Sequence, residues 1–281
     1  GWAQLMETEL RDYQPVGVVG QIIPWNFPLL MLAWKIAPAI AMGNTVVLKP
    51  ASYTRLTALL FAEIVAEAGL PAGVVNVITG SSSAGSMIVE HPDVDKIAFT
   101  GSTDVGRTLR KQTAGSGKKL SLELGGKNPN IIFADCNYEE MLETTIRSSF
   151  SNQGEICLCG SRIFIERPIY EKFKRDFSDR VDALQVGDPL DPATNVGAIV
   201  SRPHFDKIMS YIDLARHEGG TIVTGGTQVI PEGLCSSGWF IRPTVIEGLP
   251  FDCRTNQEEI FGPVVTIMPF DTEDEVLGYA N

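Results

Sequence analysis

Two cysteines, Cys157 and Cys159, follow the polar run Asn152-Gln153-Gly154-Glu155. Taken alone, such a pair reads first as two small apolar residues buried near a strand. The competing reading is nucleophilic. A glycine turn just before a cysteine exposes backbone amides and leaves the thiol at a cleft edge, where a thiolate attacks a carbonyl. A zinc site is argued against, because no second Cys pair stands at ligand spacing and His91, His204 and His217 are scattered. Glu123 ends the apolar run Leu120–Leu124 ahead of Gly125-Gly126. It reads either as a helix-capping carboxylate or partner of Lys127, or as a general base whose pKa an apolar setting raises. Asn26, in Ile23-Pro24-Trp25-Asn26-Phe27-Pro28, is a turn residue or an amide donor to an oxyanion. Such donors are worth about 3–4 kcal/mol of barrier.

Phosphate-binding signals are more diffuse. The G-x-G-x-x-G fingerprint is absent. Gly80-Ser81-Ser82-Ser83-Ala84-Gly85-Ser86 has P-loop-like glycines without the lysine, so phosphoryl transfer is excluded. Phe99-Thr100-Gly101-Ser102-Thr103 follows a strand and opens a helix whose first-turn amides suit a pyrophosphate, although an ordinary βα turn reads the same.

The elements that must position these residues alternate. Strands are expected at Val16–Ile23, Thr45–Leu48, Val74–Thr79, Lys96–Thr100 and Lys119–Leu124. Helices are expected at Pro28–Met42, Thr54–Ala68 (amphipathic, closed by Gly69 and Pro71), around Ala84–His91, and from Thr103. Single helices between strands imply βαβ units, a mostly parallel sheet and helices on both faces. After Gly125-Gly126 the alternation restarts. Strands are expected at Asn130–Ala134, Ser161–Glu166, Thr221–Thr224, Phe240–Ile246 and Val264–Phe270. Helices are expected at Tyr138–Ser151, Pro168–Leu184 and Pro203–Glu218, with a last one that Thr272 and Glu275 open as a capping box. The expected fold class is α/β: a doubly wound parallel-sheet domain over residues 1–125, then a second α/β domain over 126–281.

Composition bounds the rest. The 281 residues carry a formal charge of -11, which argues against nucleic acid or an anionic membrane as partner without excluding an anionic small molecule. No apolar run approaches the roughly 20 residues of a membrane span. Five cysteines, an odd count, make no disulfide framework and point to a reducing, cytoplasmic setting. The first residue is Gly1, without a signal-peptide pattern, and Asn281 falls inside an apparent helix. The chain is therefore expected to be cut at both ends, with any N-terminal targeting segment outside it.

From about Pro15 onward, six motifs in order resemble the aldehyde dehydrogenase superfamily: Pro-Trp-Asn-Phe-Pro (24–28), Leu-Lys-Pro (48–50), Phe-Thr-Gly-Ser-Thr (99–103), Glu-Leu-Gly-Gly-Lys (123–127), Asn-Gln-Gly-Glu-Ile-Cys (152–157) and Glu-Glu-Ile-Phe-Gly-Pro (258–263). The resemblance implies that residues 1–125 bind the cofactor, with residues 1–14 a bridging or oligomerisation segment, and that residues 126–281 are catalytic, with Cys157 and Glu123 facing one cleft. It implies an NAD-dependent enzyme, with NADP an alternative cofactor and no metal, that oxidises a small aldehyde to the acid. Cys157 is then the nucleophile, Glu123 the base that activates the deacylating water, and Lys35 a proton-relay lysine. Asn26 and the Cys157 N–H form the oxyanion hole. Lys49 and Glu259 hold the cofactor riboses, Ser102 the pyrophosphate. Ile23, Pro24, Trp25, Gly101, Gly106, Leu124 and Phe261 shape the cofactor site.

One departure is Ser52, where many NAD-preferring relatives carry a glutamate for the adenosine ribose; serine does not repel a 2′-phosphate. Residues 147–151 and 159–162 are most similar to 2-aminomuconic and 2-hydroxymuconic semialdehyde dehydrogenases. A carboxylated semialdehyde is therefore the first expected substrate and a simple aliphatic aldehyde the second. A homodimer or homotetramer is expected for the full-length protein; the parts that the family has beyond this chain leave its folding and turnover alone open. A catalytically silent scaffold would be expected to lack Cys157 or Glu123, and a coenzyme-A-acylating relative to lack Glu123.

Overall fold

A computed structural model describes residues 12–281. The expected bridging segment at residues 1–14 falls largely outside the described residues. The chain divides into two compact units, Gly1–Gly125 and Gly126–Asn281.

In the first unit the strands are β1 (Val18–Ile22), β2 (Thr45–Lys49), β3 (Val75–Val77), β4 (Lys96–Gly101) and β5 (Lys119–Leu124). The helices are α1 (Pro28–Ala41), α2 (Leu56–Glu67), α3 (Ser82–Glu90) and α4 (Thr103–Thr113). All strand pairs are parallel, in the order β3-β2-β1-β4-β5. Alternation along the strands feeds two cores. Val46 and Leu48 pack with Leu32, Ile36 and Ala58 of α1 and α2. Val47 packs with Ile97, Ile88 and Leu109, the last two from α3 and α4. The sheet is therefore wound on both faces. The chain reverses its direction of winding between β1 and β4, and the carboxyl ends of strands at such a switch point are where open α/β sheets bind ligands.

Register aligns those ends. Ile22 lies opposite Lys49 and Phe99, Phe99 opposite Leu122, and Gly101 opposite Leu124. Two expectations are corrected in this unit. The α2 helix is not amphipathic: only Ala58 is fully buried, while Leu56, Leu59, Leu60 and Ile64 are exposed. And Glu123 is exposed rather than buried, because β5 is an edge strand whose residues are at most half-buried.

The second unit holds β6 (Pro129–Ile132), β7 (Arg162–Glu166), β8 (Thr221–Thr224), β9 (Gln228–Val229), β10 (Phe240–Ile241), β11 (Thr244–Glu247) and β12 (Val264–Phe270). Its helices are α5 (Tyr138–Phe150), α6 (Arg167–Asp182), α7 (Arg202–His217), α8 (Arg254–Gln257) and α9 (Glu273–Ala280). The main sheet runs β6-β7-β12-β11-β8, parallel except for β8. One face packs on α5 and α6 through Phe150, Phe173 and Phe177, the other on α7 through Phe205, Ile208 and Ile212. The single strand expected at Phe240–Ile246 is two, β10 and β11. Pro243 has no N–H for a ladder, and β10 pairs instead with β9 in a two-stranded ribbon. The capping box at α9 is displaced by one residue: Thr272 accepts from the Glu275 N–H at 3.2 Å, but the Glu275 carboxylate accepts from the Asp271 N–H at 2.6 Å.

Candidate active site

In the first unit most sequence candidates gather at the carboxyl edge of the sheet. Ile23 continues β1, its N–H bonded to the Lys49 carbonyl at 3.2 Å, and leads into half-buried Pro24, Trp25 and Asn26. Lys49 ends β2; its stem is buried, and burial lowers its pKa. Ser52 is exposed, its hydroxyl donating to the Gly80 carbonyl at 3.3 Å. Ser102 caps α4 by accepting from the Val105 N–H at 3.4 Å, so the start of that helix faces the β4 end. Gly106 is needed for close packing: a Cβ there would lie 2.6 Å from a Leu124 methyl.

Lys35 and Glu123, two candidates 88 residues apart in sequence (123 − 35), are brought near enough to interact electrostatically. Burial lowers the Lys35 pKa, with Glu123 acting against that and Lys96 with it. Gln21, not singled out by the sequence, holds this turn of α1: it is buried and its amide donates to the Lys35 carbonyl at 2.8 Å.

In the second unit the cysteine loop lies ahead of β7, opposite the segment that precedes β12. Asn152, Gln153 and Gly154 all have positive φ (48°, 58° and 69°). A β-carbon on Gly154 would sit 2.3 Å from the Gly262 carbonyl oxygen, so only glycine lets the two segments meet this closely. The two thiols then differ. Cys159 is buried, donates to the Ser149 carbonyl at 3.3 Å, and has its pKa pushed up to about 11 by burial. Cys157 is half-buried, and the Asn128 amide fixes its carbonyl at 2.7 Å. Reactivity needs an accessible thiolate, which favours Cys157 over Cys159.

Glu259 and Phe261 flank the same place. The Glu259 carboxylate accepts from the Gly126 N–H at 3.1 Å, its carbonyl accepts from Lys207 at 2.9 Å, and burial raises its pKa. Phe261 has φ 62°, and its carbonyl is bonded to His204 Nε2 at 2.7 Å. A cavity of about 10 Å³, room for about one water, lies among Gly126, Gly154, Cys159, Glu259 and Gly262. Among the described residues no cluster of His, Cys, Asp or Glu could hold a metal ion, and no helix is long and apolar enough to cross a membrane.

Sequence reasoning missed several polar residues here. Lys127, read there only as a partner for Glu123, has its ammonium sealed from solvent and without a hydrogen-bond partner. Burial holds its pKa at about 8, with Arg162 lowering it and Cys159, Glu259 and Cys253 raising it. Arg162 is buried and donates to the carbonyls of Lys127, Tyr279 and Ala280. Glu155 is buried and accepts from the Val200 N–H at 3.2 Å. The polarity of the run before Cys157 was the available signal for Glu155; its distant neighbours Val200 and His204, more than forty residues away, gave none.

These two units carry the signature of one class of protein, and the comparisons agree. A profile of the aldehyde dehydrogenase family matches residues 4–281, and the chain belongs to that family. It is 49% identical over 271 residues to a 2-aminomuconic semialdehyde dehydrogenase of Danio rerio, covering 95% of this chain and 55% of that one. It is 45% identical to a 2-hydroxymuconic semialdehyde dehydrogenase of Pseudomonas putida, covering 95% and 56%. Among solved structures it is similar to an NAD+ complex of an aldehyde dehydrogenase from Bacillus cereus, with TM-score 0.92, 43% identity, and 95% and 54% coverage. The chain thus spans about half the length of these relatives.

Proposed function

We propose that the protein containing this chain oxidises an aldehyde to a carboxylic acid with NAD(P)+, using residues 1–125 to bind the cofactor and residues 126–281 for the chemistry. The observation that carries this reading is the contrast between the two thiols: Cys157 half-buried just after the left-handed turn at residues 152–154, Cys159 sealed and hydrogen-bonded. The first unit's donors fit a dinucleotide. They comprise the Lys49 ammonium, the α4 N-terminus with the Ser102 hydroxyl, a Gly106 that keeps the helix close, and a buried Thr100 hydroxyl with no partner. Lys49 and Glu259 would hold the riboses and Ser102 the pyrophosphate, with Ile23, Pro24, Trp25, Gly101, Leu124 and Phe261 around them. When bound, NAD(P)+ supplies the hydride acceptor.

The chain's own residues supply the rest. The Cys157 thiolate adds to the aldehyde carbon, and Asn26 with the Cys157 N–H stabilises the oxyanion of the thiohemiacetal. Loss of hydride from that carbon leaves a thioester on Cys157. Glu123 takes a proton from water, which attacks the thioester and releases acid and thiol. Lys35, its pKa lowered by burial and within the electrostatic reach of Glu123, passes that proton on.

The relatives named above make a carboxylated semialdehyde the first substrate class to test, with a simple aliphatic aldehyde second. Ser52 lets NADP be used beside NAD. The full-length protein is read as a cytoplasmic homodimer or homotetramer. The test is turnover by the full-length protein of an aldehyde panel with either cofactor. Faster oxidation of acetaldehyde than of a muconic-type semialdehyde would reverse the substrate order, and no oxidation of any aldehyde would end the reading.

A further inference from the structure

Among the described residues, three non-glycine residues have positive φ: Asn152, Gln153 and Phe261. Such residues persist only where their surroundings over-determine them. All three lie in one hydrogen-bonded cluster, which Asn152 joins by donating its side-chain amide to the Glu155 carbonyl at 3.4 Å. The Gln153 side-chain oxygen Oε1 accepts from the Gly197 N–H at 3.1 Å, and the same side chain also hydrogen-bonds to Glu155. Glu155 Oε1 accepts from the Val200 N–H at 3.2 Å and lies 3.7 Å from His204 Nε2. His204 Nε2 in turn donates to the Phe261 carbonyl. The strained run before Cys157 is therefore fastened at two points to the 197–200 segment, and His204, which lies beside Glu155, is bonded to the Phe261 carbonyl.

We propose that Glu155 is a positioning residue: its buried side-chain oxygen, accepting from the Val200 N–H, clasps the Cys157 loop to the 197–200 segment, and the thiol keeps its reactive placement only while that clasp holds. The proposal rests on Cys157 being the reactive thiol. Geometry requires an acceptor for the Val200 N–H, which either protonation state offers. Burial chooses the neutral one.

Glu155 is 3% exposed, and its pKa is pushed up to about 8 by burial, against the pull of the Val200 and Gln153 bonds. Burial also lowers the His204 pKa, so the pair is neutral rather than an ion pair. The charged groups of the packed segments are Lys207 on α7, which disfavours protonation of His204, the Arg202–Asp206 ion pair at the start of α7, and Glu259 at the small cavity. As pH climbs from 4.5 toward about 8, the native state keeps a proton that the unfolded chain has lost, so the fold loses stability over that window while the clasp itself stays intact until the acid ionises. Above that, a buried carboxylate two residues from Cys157 draws in water and opposes a thiolate.

The test is alkylation of Cys157 by iodoacetamide in the full-length protein, followed by peptide mass spectrometry from about pH 6 to 10. In wild type the rate is expected to rise with thiolate formation and then decline along a limb centred near about 8. In Glu155→Gln, isosteric with the neutral acid, the declining limb is expected to vanish. Glu155→Leu, which offers the Val200 N–H no acceptor, is expected to react at least about tenfold more slowly than Glu155→Gln at pH 7. A declining limb that persists in Glu155→Gln would assign it to Lys127 or another group and overturn the proposal, as would equal rates for Gln and Leu. If the leucine variant does not fold, wild type against Glu155→Gln decides alone. The readout needs neither cofactor nor aldehyde. Failure to oxidise any aldehyde, with the expected alkylation profile intact, would sink the proposed activity and leave the clasp standing.

Discussion

Replacing Gly154 by alanine should damage the cysteine loop far more than an ordinary glycine substitution. Two costs add. At φ 69° an alanine pays the left-handed penalty, about 1–2 kcal/mol. Its Cβ would also fall 2.3 Å from the Gly262 oxygen and 2.7 Å from the Gly262 carbonyl carbon, where real contacts stay beyond 3.0 Å. Backbone must therefore move by about 0.7 Å or more, an overpacking cost of about 1–3 kcal/mol. Together they predict a loss of about 2–5 kcal/mol. Cys157 is three residues on, and misplacement by about 1 Å costs up to about 100-fold in rate. The control is Gly219→Ala, also at positive φ (90°) but with nothing within 4 Å of the new methyl; it should lose only the backbone penalty. Urea midpoints and Cys157 alkylation rates for both variants check the reasoning. Equal losses of stability, with alkylation of Cys157 unchanged in Gly154→Ala, would refute it.

Arg162→Met should destabilise by about 3–5 kcal/mol in urea unfolding, because the carbonyls of Lys127, Tyr279 and Ala280 lose a buried cationic donor; a loss below about 1 kcal/mol would contradict the assigned role. Lys127→Met should gain stability relative to wild type at neutral pH. The Lys127 pKa is depressed to about 8 in the fold, so its burial cost is fully present below that and relieved as pH rises toward 10.5. The advantage of methionine, at most about 3 kcal/mol, should shrink over that window; urea midpoints at several pH values test it, and a constant difference would argue against it. Ser52→Glu should weaken NADP binding by tenfold or more, roughly 1.4 kcal/mol, and leave NAD binding intact or tighter; an unchanged preference in equilibrium titration would remove Ser52 from cofactor discrimination.

Much of the first unit was legible in sequence because its punctuation is strong. Gly69 and Pro71 close α2, Pro28 opens α1, and Ser102 caps α4, so the strand–helix alternation can be counted directly. What escaped depends on neighbours rather than on local pattern. The leucines of α2 look like one buried face, but which residues are covered is decided by what packs there. Glu123 ends an apolar run, yet β5 sits at an edge, where apolar character does not guarantee burial. Pro243 splitting a strand was available from its missing N–H and was overlooked. In the site, Cys157, Lys49 and Ser102 stand in recognisable motifs. The clasp around Gln153, Glu155 and His204 does not, because it joins residues far apart in sequence. Left-handed φ at Gln153 runs against local preference and is set by tertiary contacts.

The division of labour between Cys157 and Glu123 is the central claim, and a rapid-mixing burst of reduced cofactor with mass-spectrometric mapping of the trapped acyl group tests it most directly. In the full-length protein, Cys157→Ala should show no burst, since alanine cannot form the thiohemiacetal. Glu123→Gln should retain some burst but lose most steady-state turnover, because thioester hydrolysis needs an activated water. Cys159→Ala should lose little, as its thiol is buried and bonded to the Ser149 carbonyl. An acyl group found on Cys157 is the predicted result. An acyl group on Cys159, or an undiminished steady-state rate in Glu123→Gln, would contradict the account.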